Sequence, residues 1–184
     1  ASWRSSNPKL IFVTYLSATE LDTADAESFN TSFWGPLPNY LASKKVATNW
    51  LYLPSRKFSL VTTFKAIKKL NKHRGDFENH ILLSSFFNWA VLWRVLQDWI
   101  VIYKKYYKVR EPLKVYCGFF WPLIKEDVSR SLTGTETIKS LFFLALFERV
   151  ASLSARKAQV VYLAENQSWE YGVINSFQSK TCHL

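Results

Sequence analysis

Four residue types that can bind a polar ligand stand together in Glu165-Asn166-Gln167-Ser168, followed by Trp169 and Glu170. A carboxylate there can accept from sugar hydroxyls or act as a base, and an amide can both donate and accept. Their usefulness depends on what positions them. The residues before them, Val160, Val161, Tyr162 and Leu163, are apolar, β-branched or aromatic and fit a buried strand. Ser168 can cap a new helix, in which Trp169, Val173, Ile174 and Phe177 share one face. The unit is strand, polar turn, helix. Ligands of open α/β sheets bind at the carboxyl ends of strands, and a helix N-terminus beside them favours anions. Two readings stay open. Asn166 or Ser168 can be only a cap and Glu165 a solvated turn residue, or the group can hold a ligand. For Glu170 the charge at a helix N-terminus is the simpler role, and for Glu165 a ligand contact is.

A second basic and aromatic cluster lies at Tyr103–Arg110, where Lys104, Lys105, Lys108 and Arg110 interleave with tyrosines. It reads as a solvated helix end, where cations suit the dipole. As a docking patch it fits an anionic membrane surface better than nucleic acid, because the aromatics would sit at headgroup level. The charge distribution favours the same region, and one reading of the whole chain is a basic module that docks nucleic acid or an anionic membrane surface through residues 56–110 without catalysis. Residues 56–114 carry thirteen Lys/Arg against four acids, whereas residues 1–55 balance at four against four and residues 115–184 carry seven against six. The whole chain has a net charge of +10, so phosphates, acidic sugars, nucleic acid and anionic lipid are its natural partners.

Other chemistries find little support. The five glycines are scattered singly, so a Gly-rich dinucleotide or P-loop fingerprint is missing. The chain has no GxSxG elbow, and its two cysteines, Cys117 and Cys182, make neither a disulfide framework nor a zinc set. His73, His80 and His183 lie in polar surroundings and read as surface residues. No metal or cofactor is expected. With no secretory pattern near the N-terminus, the expected location is cytoplasmic.

At 184 residues and 48% hydrophobic, the chain can bury a core as one α/β domain or a fragment of a larger one. Leu10–Leu16 predicts a central strand, and Ser17–Thr31 a long acidic loop at its carboxyl end. Leu37–Ser43 predicts a short helix, Val46–Leu53 a second strand, and Phe58–Leu70 a helix. Leu60, Val61, Phe64, Ile67 and Leu70 form its apolar face, opposite Lys65, Lys68, Lys69 and Lys72. Residues 10–72 are therefore strand–helix–strand–helix. His73–His80 predicts a polar loop. Ile81–Tyr107 is long and apolar, but Arg94 and Asp98 at helical spacing argue for a protein-packed helix over a membrane span. Lys114–Phe120 predicts a short strand, and Trp121–Leu132 reads ambiguously, with helix as one option. Thr133 and Glu136 match a capping box before a deeply buried helix Glu136–Leu153. The helical region 81–153 thus separates the first units from the strand–turn–helix of residues 159–179.

The succession LIFVTYL, FWGPLP, NWLYL and VYLAENQSWEYGVINSF resembles glycosyltransferases of bacterial surface-carbohydrate (capsule or lipopolysaccharide) synthesis. Its most specific part is Glu165–Glu170, similar to that family's Glu-x-Gln-x-Trp-Glu signature; Trp34, Gly35, Pro36 and Leu37 match a weaker one. The resemblance implies a GT-B-like protein of two Rossmann-like domains, with parallel sheets flanked by helices and here a long aromatic-rich helical insertion. It implies a nucleotide-sugar donor, a glycan or lipid-linked acceptor, work at the inner face of a membrane, and usually no metal. It also implies a further C-terminal domain beyond Leu184. It assigns no catalytic base to a residue of this chain.

Overall fold

Leu10–Tyr15 contains no charged residue, and it forms strand β1 at the interior of the sheet. The computed structural model describes residues 3, 10–17, 20, 29, 31–54, 58–73, 77–155 and 158–181. Strand β2 (Thr48–Leu53) pairs with one edge of β1, and β4 (Gln159–Tyr162) with the other. Strand β3 (Glu78–Leu82) extends the sheet beyond β2. The order is β3-β2-β1-β4 and every pairing is parallel. The chain therefore builds outward from β1 through β2 to β3, then returns to the opposite side of β1. That reversal is the switch point of a Rossmann-like sheet.

Alternating side chains divide the strands between two cores, as the two-residue period requires. Ile11, Val13, Leu51 and Leu53 face one core, with Val91, Val95, Phe147, Val150, Trp169 and Val173 from helices. Phe12, Trp50 and Tyr52 face the other, against Ala66, Ile67 and Leu70. Burial on both faces explains why β1 and β2 are near-continuous apolar runs. Phe12 and Trp50 stack across the pairing at 4.4 Å.

The helices are α1 (Leu37–Ser43), α2 (Leu60–His73), α3 (Trp89–Cys117), α4 (Trp121–Thr133), α5 (Thr135–Leu153) and α6 (Ser168–Thr181). Asn88 starts α3 by accepting from the Val91 N–H at 2.9 Å. Gly118, at φ +50°, ends it, and a 3₁₀ turn through Phe120 leads straight into α4. Helices α3 and α4 thus make a hairpin inserted between β3 and α5. No helix among the described residues is long and apolar enough to cross a membrane.

Helix α1 spans the residues expected of it, whereas several other boundaries differ from the sequence pattern. The expected loop His73–His80 contains the start of β3: Glu78, Asn79 and His80 are polar yet buried. His80 is therefore an interior residue, contrary to its surface reading. The expected helix Ile81–Tyr107 begins only at Trp89, after the end of β3 and a 3₁₀ turn at Leu83–Phe86, and it runs on to Cys117 through Pro112. Lys114–Phe120 is consequently helical, not a strand. The core face of α2 is Thr63, Ala66, Ile67 and Leu70; Val61 and Phe64 are exposed. Thr133 does not cap α5. Its hydroxyl donates to the Ser129 carbonyl at 2.8 Å, and Gly134 precedes the helix without a side-chain cap. In α5, Ala145, Leu146 and Phe147 are buried, while Leu141–Leu144 are half-buried. Strand β4 is a half-buried edge, not a fully buried strand. Most of the expected loop Ser17–Thr31, along with Cys182 and His183, lies outside the described residues.

Candidate functional site

Strand β1 ends at Tyr15, β2 is stopped by Pro54, and helices α5 and α6 begin at Thr135 and Ser168. All four positions border one cleft of about 780 Å³. Ile138, Phe142, Phe143, Leu146 and Trp169 give it an apolar and aromatic wall, while Lys139, Gln167 and Ser168 supply polar groups. A mostly apolar concavity with a few convergent polar groups is the usual form of a small-molecule site. Its place at the carboxyl ends of parallel strands is where an open α/β sheet leaves room for one.

Two helix N-termini border the cleft, and each brings unpaired backbone N–H groups and a partial positive charge. An acid stands in the first turn of each helix, Glu136 in α5 and Glu170 in α6. Lys139 Nζ donates to Glu136 Oε2 at 3.4 Å and remains about half exposed, so it offsets that acid at the cleft. Glu170 acts differently. Its Oε1 accepts from the Glu165 N–H at 2.8 Å and from the Gln167 N–H at 2.7 Å. A carboxylate three residues into a helix that reaches back to the preceding N–H is half of a capping box. Glu170 is buried, and it ties the turn to the first turn of α6.

The structure separates the predicted site residues accordingly. Gln167 and Trp169 line the cleft. Trp169 is 3% exposed and packs edge-on against Tyr15 and Tyr162, at 6.3 and 5.7 Å between ring centres. Glu165 and Asn166 are exposed and outside the cleft lining; Glu165 contributes its backbone N–H to the turn. Asn166 has φ +58°, a left-handed conformation that asparagine adopts more readily than most residues. Ile174, expected on the packed face of α6, is partly exposed. Lys104, Lys105, Lys108 and Arg110 are exposed along α3 and do not line this cleft.

Tyr15, Thr135, Lys139 and the Phe142–Phe143 wall were not singled out by the sequence. Tyr15 carried a signal, since it ends the central strand where ligands are expected. The α5 residues carried none, because their place depends on α5 packing beside α6. Burial pushes the Tyr15 hydroxyl above the ordinary phenol range, and the charges of Glu165 and Glu170 push the same way. A hydrogen bond with Trp169 pulls the other way, and the residue borders the cleft.

A second set of polar groups is buried on the opposite face of the sheet. Tyr52 Oη lies 3.1 Å from His80 Nδ1, and His80 Nε2 lies 4.0 Å from Glu78 Oε2. Asn71 of α2 fastens this edge by accepting from the His80 N–H at 3.0 Å and donating to its carbonyl at 2.6 Å. Burial pushes the Glu78 carboxyl up to about 7 and the Tyr52 hydroxyl well above its usual range. Glu20 is wholly buried nearby in charge terms, raising Tyr52 further, and accepts from the backbone and hydroxyl of Ser17. Among the described residues no group of three or more His, Cys, Asp or Glu is placed to hold a metal ion.

Comparison of the chain with protein-family models, curated proteins and solved structures gives no match.

Proposed function

We propose that this chain binds a nucleotide-sugar as part of a GT-B-like glycosyltransferase of bacterial surface-carbohydrate synthesis, with a second domain completing the enzyme. One observation carries the reading: two helix N-termini and Lys139 meet in an aromatic-walled cleft at the carboxyl ends of β1 and β2. A diphosphate would take the N–H groups at the start of α5 and α6 together with Lys139. The Gln167 amide and the Tyr15 hydroxyl would address sugar or ribose hydroxyls, and Phe142 or Phe143 would stack on a ring. Glu170 would shape the rim without touching the ligand. The acceptor, a glycan or lipid-linked sugar, would enter from the exposed side of the cleft.

Calorimetric titration with a panel of uridine, guanosine and thymidine diphosphate sugars tests this reading. At least one should bind, and Lys139→Gln should weaken it by about ten- to a hundredfold, the loss expected for one hydrogen bond to a charged group. If no member of the panel binds, or if Lys139→Gln and Gln167→Ala both leave affinity unchanged, the cleft is not the donor site.

A further inference from the structure

The turn between α3 and α4 presents apolar side chains outward. Tyr116 is 90% exposed, Phe119 87%, Val115 81%, Leu123 70% and Phe120 64%. Large apolar groups left this exposed at a turn bury little of their surface within the chain, and clusters of this kind mark an interaction surface. The local sequence makes the projection. Gly118 takes φ +50° to end α3, and Pro122 suits the first turn of α4, so the chain reverses with its aromatics outside.

The approach to this tip has a matching pattern. Trp89, Trp93, Leu96, Ile100, Tyr103 and Tyr107 follow each other by four and three residues, and all are exposed on one face of α3. The same spacing continues to Arg110 and Lys114. The face that is apolar along most of the helix thus becomes cationic just before the tip. Lys125 follows the tip on α4. From Lys104 to Asp127 there are six Lys/Arg and three acids; Glu111 pairs with Lys114 at 3.8 Å and Glu126 with Arg130 at 2.8 Å, and the excess positive charge comes from Lys104, Lys105 and Lys108 on α3.

Charge decides the occupant. A second copy meeting this face would bring the same cationic stretch against itself. An anionic lipid surface supplies the opposite charge, and tyrosine and tryptophan rings favour its headgroup level. We propose that the α3–α4 turn is a membrane-docking tip. Tyr116, Phe119 and Phe120 enter the boundary between headgroups and acyl chains of an anionic bilayer. Arg110, Lys114 and Lys125 pair with lipid phosphates. The protein lies on the membrane, consistent with the lack of a spanning helix among the described residues. This docking does not depend on the reaction at the cleft.

Sedimentation of the full chain with vesicles tests the proposal, using phosphatidylcholine alone and phosphatidylcholine mixed with phosphatidylglycerol. The chain should pellet with the mixed vesicles and much less with the neutral ones. Phe119→Ser with Phe120→Ser should lower partitioning by about tenfold or more, from the lost apolar burial. Lys114→Gln with Lys125→Gln should lower it by about fivefold per charge and narrow the preference for anionic lipid. Thermal unfolding should match the parent in both variants; should the paired Phe variant unfold early, Tyr116→Gln replaces it. The proposal is overturned if the chain stays in the supernatant with anionic vesicles, or if the tip variants bind as well as the parent. It is also overturned if sedimentation velocity shows a dimer that the tip substitutions abolish, or if only single-stranded RNA binds and only the lysine substitutions weaken it.

Discussion

The cleft and the hairpin tip are built from the same residue types, aromatics and lysines, and differ in curvature. At the cleft, Trp169 and Leu146 are held by neighbours on several sides, and Phe142, Phe143 and Lys139 border a concavity. At the tip, Tyr116, Phe119 and Phe120 stand out from a helix turn with little behind them. The concave arrangement fits a small ligand, and the convex one fits a broad deformable surface. Composition alone, rich in aromatics and basic residues, reads the same in both places. What distinguishes them is which side chains the sheet pulls inward.

That difference should be largest in stability. Phe147 lies wholly buried beneath the cleft, packed near Trp169. Phe147→Ala should cost about 3–5 kcal/mol, whereas Phe119→Ala at the tip should stay within about 0.5 kcal/mol. Urea unfolding of the two variants measures both. Similar losses would mean that the tip is packed and the contrast is wrong.

A pH scan sharpens the contrast by adding the opposite face of the sheet. Burial raises the Glu78 carboxyl from 4.5 to about 7. In that interval the unfolded chain is ionised while the folded chain keeps the proton, so stability falls as pH rises from 4.5 to about 7 and then levels off. The drop is on the order of 3 kcal/mol. Glu78→Gln should flatten it, and the tip variants should leave it in place. Urea midpoints across the interval decide the matter; a profile unchanged by Glu78→Gln would contradict the assignment.

Two smaller effects belong to the turn at the cleft rim. Glu170→Ala leaves the Glu165 and Gln167 N–H groups without their acceptor and should cost about 1–3 kcal/mol. Glu170→Gln, which can still accept, should cost less. Asn166→Ala should cost about 1 kcal/mol through its left-handed backbone, and Asn166→Gly should be close to neutral. Equal values for all of these variants would mean that the turn is loose and does not shape the cleft.

The parallel α/β sheet was legible because β1 and β2 are buried on both faces, which leaves uninterrupted apolar runs such as Leu10–Tyr15. Strand β3 was hidden because Glu78, Asn79 and His80 occupy interior positions with polar side chains, held by Tyr52 and Asn71. The extent of α3 was obscured by Pro112, which the helix carries within its exposed half, and by the apolar run of β3 merging into it. At the site, the strand–turn–helix unit was readable, but the role of each residue was not. Glu170 and Asn166 turn out to serve the turn itself, through a capping carboxylate and a left-handed backbone. Lys139 and Phe142 join the site through tertiary packing, which spacing along the chain does not encode.

Nitrogen-15 correlation spectra of the chain titrated with a nucleoside diphosphate locate the donor site residue by residue. The largest shifts should fall at the starts of two helices, on Thr135, Lys139, Gln167 and Ser168. Shifts gathered instead on Lys104, Lys105, Lys108 and Arg110, or no shift at all, would contradict that placement.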